Sequence, residues 1–195
     1  MTDLEQGIDR RRFIRNAGIG SALVWSAPAV TTLGQVHAAS SPPGCGPDFF
    51  TDFDNAGPAR LNATGNLDGF TVTSGSVDVI GNGFFDFYPG NGLYIDTDGS
   101  GGAPGQPRIE SIATFGAGTY VVEFVLAGST RGDANRVAVQ FGANTEIVNL
   151  GSSAPPTTFS RTWSLLVPAR LTFTHAEPPD FLGLILLSAS VRCTA

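Results

Sequence analysis

From residue 48 onward the chain is written largely in a two-residue period. Thr158 to Leu166 shows it most cleanly: Phe159, Trp163 and Leu165 fall on one side, and Thr158, Ser160, Thr162 and Ser164 on the other. Successive side chains of a strand point to opposite faces, so this alternation predicts a half-buried strand. Arg161 falls on the apolar side, so its head must either reach the rim or find a partner. Gly118 to Leu126 repeats the pattern, with Tyr120, Val122, Phe124 and Leu126 inside and Glu123 outside. Val137, Val139 and Phe141 share one side of Arg136 to Phe141, and Leu171 and Phe173 alternate with Thr172 and Thr174. Gly183 to Val191, with Leu184-Ile185-Leu186-Leu187, is apolar on both faces and predicts a central strand.

Shorter segments complete the set: Phe49 to Phe53, Phe70 to Thr73, Ser76 to Ile80, Tyr94-Ile95, Arg108 to Phe115 and Asn144 to Leu150. Ser74-Gly75 reads as a hairpin turn between two of them, and Gly116-Ala117-Gly118 and Gly142-Ala143 read as further turns. No segment past the leader keeps helical spacing for three turns. About ten short strands broken by Gly, Pro, Asn and Asp predict an all-β fold, an antiparallel jelly-roll β-sandwich in one domain. Composition agrees: 25 glycines and 14 phenylalanines accompany a charged fraction of only 14%. Each glycine inside a helix would cost about 1 kcal/mol.

The first 39 residues obey different rules. Arg10 and Arg11, one spacer, then Phe13, Ile14 and Arg15 match the twin-arginine export pattern. A weakly apolar stretch from Ala17 to Val30 follows, and Val36-His37-Ala38 offers small or slim residues where a signal peptidase reads. A charged start, a short apolar middle and a small-residue exit describe a removable signal peptide. The stretch is too rich in Gly and Ser to span a bilayer, which needs about 20 apolar residues. The expected organisation is therefore a twin-arginine signal peptide over 1–39, a Ser/Pro/Gly leader over 40–47 and the sandwich over 48–195. The expected partners during export are the twin-arginine translocase and signal peptidase. The destination is the periplasm or the extracellular space, with the mature form not embedded in a membrane.

Charge narrows the partners. The chain has no lysine, and its basic residues are 11 arginines. Removing 1–39 takes four of these and three of the 17 acids, leaving seven arginines against fourteen acids. No basic stripe remains to displace counterions from a phosphate backbone, so nucleic acid is excluded as a partner. Cys45 and Cys193 stand at the two ends of the mature domain. An even pair in an exported chain predicts a disulfide.

Three segments then carry a resemblance: Phe70-Thr-Val-Thr-Ser-Gly-Ser-Val-Asp78, Phe87-Tyr-Pro-Gly-Asn-Gly-Leu-Tyr-Ile-Asp-Thr-Asp-Gly99 and Leu126-Ala-Gly-Ser-Thr-Arg-Gly-Asp133. Over most of Phe70 to Val191 the chain resembles the exported bacterial jelly-roll modules found in PEP-CTERM proteins, which are similar to galactose-binding-like and carbohydrate-binding sandwiches. It departs from them at Leu187-Ser188, where such modules tend to carry an acid, so any calcium site that relatives build at this end is not expected here, and in ending at Ala195 without a sorting tail. The resemblance implies a free secreted module that binds carbohydrate or another extracellular polymer. A structural envelope or matrix protein without a small ligand is the alternative, and a polysaccharide-active enzyme a weaker one.

Several constellations bear on that choice. Phe84-Phe85-Asp86-Phe87-Tyr88 precedes Pro89-Gly90-Asn91-Gly92. Rings beside Asp and Asn suit sugars, whose C–H faces stack on aromatics while their hydroxyls meet polar groups. The other reading is core aromatics under a loop. Tyr88, Asn91, Tyr94 and Asp86 are the candidate ligand contacts, the tyrosines because a phenol keeps a polar handle. Asp96 and Asp98 in Asp-Thr-Asp-Gly-Ser could serve a structural calcium or simply bond turn amides. Asp52, Asp54 and Asn55 pose the same choice. Arg131-Gly132-Asp133 reads as a loop pinned through charge-assisted hydrogen bonds. Catalysis finds little: one histidine (His175) beyond the signal, no serine elbow, no phosphate-loop lysine, and no Glu-x-Asp-x-x-Glu strand motif of jelly-roll glucanases. No catalytic residue is expected.

Overall fold

The computed structural model describes residues 45–194 apart from Gly102. The chain divides into two units, Met1–Ala39 and Ser40–Ala195, and the description belongs to the second. Arg10, Arg11 and Phe13, with the signal peptide they would mark, lie outside the described residues, as does most of the 40–47 leader.

Eleven strands are present: β1 Phe49–Thr51, β2 Arg60–Leu67, β3 Phe70–Gly81, β4 Leu93–Asp96, β5 Arg108–Ser111, β6 Gly118–Ala127, β7 Asn135–Phe141, β8 Asn144–Leu150, β9 Thr157–Leu165, β10 Leu171–His175 and β11 Ile185–Cys193. Every pairing is antiparallel, in the order β8-β7-β10-β5-β3-β4-β11-β6-β9, with β1 beside β11 and β2 beside β3. The described domain is all-β, as the alternation predicts, and β11 lies centrally between β4 and β6.

One expectation is corrected. Ser74-Gly75 is not a hairpin turn. It is a bend inside β3, where Gly75 takes φ +60° and the register with β5 shifts. Residues Phe70 to Ser74 pair with β5, and residues Asp78 to Gly81 pair with β4. The bend thus splits the sheet into two layers. The first holds β5, β10, β7 and β8 beside the N-terminal half of β3, while β2 pairs along both halves of β3. The second holds β4, β11, β6, β9 and β1 beside its C-terminal half.

The layers close on one core. Phe124 of β6 meets Phe173 of β10 edge-on at 5.6 Å, and Tyr120 of β6 meets Phe141 of β7 at 5.4 Å. Edge-to-face packing of this kind is worth about 0.5–1.5 kcal/mol beyond burial. At the open side Arg161 of β9 pairs with Glu146 of β8, tying the two edge strands. That resolves the arginine on an apolar face. Cys45 and Cys193 form a disulfide with Cα atoms 6.0 Å apart across 148 residues. Closing so long a loop stabilises by about 5 kcal/mol in the chain-entropy account.

Candidate functional site

The pleat decides which residues of β3 and β4 face away from the core. Val77, Val79, Leu93 and Ile95 enter the main core, so Asp78, Ile80, Tyr94 and Asp96 point the other way. On that outer side Ile80 and Tyr94 join Ala127, Ile185 and Leu187 in a second, smaller apolar cluster. The 82–92 loop covers it, with Phe87 and Tyr88 packed on top.

The predicted ligand contacts build this cover. Tyr94 is 0% exposed, and its hydroxyl donates to Asp86 Oδ1 at 2.9 Å while accepting the Tyr88 amide at 3.0 Å. The other oxygen of Asp86 accepts the Gly83 amide at 3.0 Å. The half-buried Tyr88 hydroxyl sits 2.7 Å from the Gly128 carbonyl and 3.1 Å from that of Ala154. Asn91 donates its side-chain amide to the Tyr88 carbonyl at 2.9 Å. Burial pushes the Tyr94 phenol up to about 12 and raises that of Tyr88. Tyr88, Asn91, Tyr94 and Asp86 are thus brought together as braces of one loop, and the Tyr94 ring offers no face to a ligand. A phenol on a strand that faces outward in the pleat looks accessible until a loop is laid over it.

The exposed rings are neighbours that the sequence reading treats only as a group. Phe85 is 56% exposed, and its φ of +45° is a left-handed conformation that a bulky residue rarely adopts. Phe84 stands edge-on to it at 4.9 Å. Beside Phe85 opens a cavity of about 180 Å³ lined by Leu61, Asp78, Phe85, Phe87, Ser100 and Arg131, with Asp96 and Ile80 in its floor.

That floor is polar and rigid. Asp78 accepts from the Asn62 amide at 2.7 Å and from the Ser100 amide at 3.1 Å. Asp96 is 1% exposed. Its Oδ1 accepts the amides of Asp98 and Gly183 at 3.1 and 3.0 Å, and its Oδ2 pairs with Arg131. Gly183 passes so close that a Cβ there would collide with Asp96 Oδ1. Arg131 also donates to the Phe181 carbonyl at 2.9 Å and lies 5.2 Å over the Phe87 ring. The loop pin expected of Arg131 is therefore made to Asp96, with Asp133 bonded instead to Asn135. Burial pushes the Asp96 carboxyl up to about 7, against the lowering effect of Arg131.

Asp98 lies deeper. Its Oδ2 accepts the amides of Asp180 and Phe181 at 2.8 and 2.7 Å, and His175 Nε2 stands 3.8 Å away. Asp96 and Asp98 thus spend most of their oxygens on backbone amides and Arg131. Among the described residues no three His, Cys, Asp or Glu side chains converge as a metal shell. Asp54 reaches across to the Leu93 amide at 2.8 Å, and Asp52 accepts the Asp54 amide at 3.2 Å.

No protein family matches the chain, and no curated protein matches it. Solved structures similar to it include the CBM36-1 domain of a multidomain xylanase from the hindgut metagenome of Trinervitermes trinervoides, at 10% identity and TM-score 0.45 over 76% of this chain and 99% of that one. The K1 cleaved adhesin domain of Lys-gingipain from Porphyromonas gingivalis W83 is similar at 13% identity and TM-score 0.46, over 77% and 100%. An exo-beta-1,3-galactanase from Phanerochaete chrysosporium is similar at 13% identity and TM-score 0.39 over 75% of this chain, which spans only 30% of that enzyme. These likenesses are distant, and the site is read from its own residues.

Proposed function

We propose that this protein is an exported, non-catalytic module that binds carbohydrate in the cavity beside Phe85. The observation that carries the reading is an aromatic ring held outward in a conformation its own backbone disfavours, over a fixed floor of carboxylates and a guanidinium. A solvent-facing ring contributes little to folding, and local strain of this sort costs of order 1–3 kcal/mol, which makes it a mark of a working site. A pyranose suits the place. Its C–H face stacks on Phe85, and its hydroxyls donate to the remaining lone pair of Asp96 and accept from Arg131.

Isothermal titration against a panel of neutral oligosaccharides tests this. Binding of at least one is expected, with Phe85→Ala weakening it about tenfold. Silence across the panel would favour the structural envelope role, and turnover of a polysaccharide would favour an enzyme. Export is tested separately: Arg10→Lys with Arg11→Lys should hold the chain in the cytoplasm, and unchanged export would remove the twin-arginine reading.

A further inference from the structure

The outer face of the first layer carries a second hollow, of about 340 Å³, that the loop site does not touch. Register sets Glu110, Thr172 and Gln140 in one row across β5, β10 and β7. Their neighbours Ile109, Phe173 and Val139 belong to the core, so this row faces outward. Arg108 and Arg170 flank it. Arg108 Nη2 lies 3.2 Å from Glu110 Oε2, and Arg170 Nη1 lies 3.6 Å from Glu110 Oε1. Arg170 is held further by the Ser111 carbonyl at 3.1 Å and the Thr114 hydroxyl at 3.2 Å. Among the described residues the buried Arg108 Nε has no acceptor.

One carboxylate therefore stands between two guanidiniums, and the hollow keeps an excess positive charge on a domain that is acidic as a whole. Both arginine side chains are 41% exposed, so the guanidiniums remain reachable from solvent even though Arg108 Nε itself is buried. We propose that this hollow is a second binding site, for an acidic polysaccharide bearing carboxylate or sulfate groups. A guanidinium offers a planar fork of donors that fits either anion in two-point fashion. The Gln140 amide oxygen and the Thr172 hydroxyl oxygen accept from sugar hydroxyls alongside. Glu110 holds both arginines in place when the site is empty, and it competes with an incoming anion for their donors.

That competition gives the test its sign. Affinity electrophoresis of the purified protein uses gels containing polygalacturonate, dextran sulfate or neutral dextran. Retardation is expected in at least one polyanion gel and not in dextran, and it should fade at about 0.5 M salt. Which polyanion retards tells carboxylate from sulfate. Arg108→Gln with Arg170→Gln should weaken binding about tenfold or more. Glu110→Gln should tighten it about threefold or more by freeing donors, whereas a merely structural carboxylate would give no gain. Phe85→Ala should leave retardation unchanged, which separates this site from the loop cavity. The proposal is overturned if neither polyanion retards the protein, if a folded double arginine variant runs like the parent, or if Glu110→Gln binds no tighter. Should the double variant fail to fold, the Glu110→Gln result decides.

Discussion

The two layers bury the same kind of residue inward and carry opposite arrangements outward. On the second layer the 82–92 loop lies over Ile80, Tyr94 and Leu187, and the carboxylates beside it line the Phe85 cavity. Asp78 and Asp96 are 2% and 1% exposed, and they accept from backbone amides, the Ser100 hydroxyl and Arg131. On the first layer, among the described residues, nothing covers the row from Glu110 to Gln140 in this way, and Arg108 and Arg170 stay partly in solvent. The difference separates two ways of holding polar groups ready. Under the loop, position is fixed by burial, and changing a polar side chain endangers the fold. On the open face, position is fixed by strand register and a few partly exposed polar contacts, so substitutions there act on binding and leave stability nearly untouched.

The sharpest break of that contrast is Arg131→Ala. It strips the partner from a buried carboxylate, and losses of this kind reach about 3 kcal/mol. The loss depends on pH. Burial raises the folded Asp96 carboxyl from its ordinary value of 3.8 to about 7. Its contribution to stability is therefore fully present below pH 3.8 and is lost as pH rises through 7. Without Arg131 that carboxyl rises further, so the variant continues to lose stability above pH 7, where the parent has levelled. Chemical denaturation at pH 5 and pH 8 should show a small deficit at the lower pH and the large one at the higher. Equal deficits at both would mean that Arg131 acts by packing on Phe87 and not by compensating Asp96.

Much of the fold was legible because alternation is a local signal. β6, β7, β9 and β10 keep their apolar residues on one side, as periodicity says, and β11 is buried on both faces over Ile185–Leu187 and alternates beyond. β2 escaped notice because only Ala63 and Leu67 of its eight residues are buried, and its register slips twice against β3. The β3 bend was misread because Ser-Gly serves a hairpin and a kink equally well; which one forms depends on β4 and β5, which lie far along the chain. The loop site was half legible. Phe84 to Tyr94 reads as one aromatic segment, but which of its rings face out depends on the covered face below. Tyr94 was assigned a polar handle, and that handle is used internally by Asp86 and Tyr88. The Arg108–Glu110–Arg170 hollow left no sequence motif, because Arg108 and Glu110 sit on β5 and Arg170 just before β10, and only strand pairing brings these together.

The smallest stability effect is also the most discriminating. Phe85→Gly removes a side chain from a backbone at φ +45°, a region that glycine enters freely. If the ring were part of the core, its loss would cost about 3 kcal/mol or more. A ring that is 56% exposed has little burial to lose, and relief of the disfavoured φ offsets that little. The expected change in unfolding free energy is within about 1 kcal/mol of zero, in either direction. Glycan affinity should fall as it does for Phe85→Ala, and polyanion retardation on the other face should not move. A variant that keeps its stability and loses only the glycan would assign Phe85 to recognition. A variant that loses stability and both ligands together would return the ring to the fold and erase the distinction between the two faces.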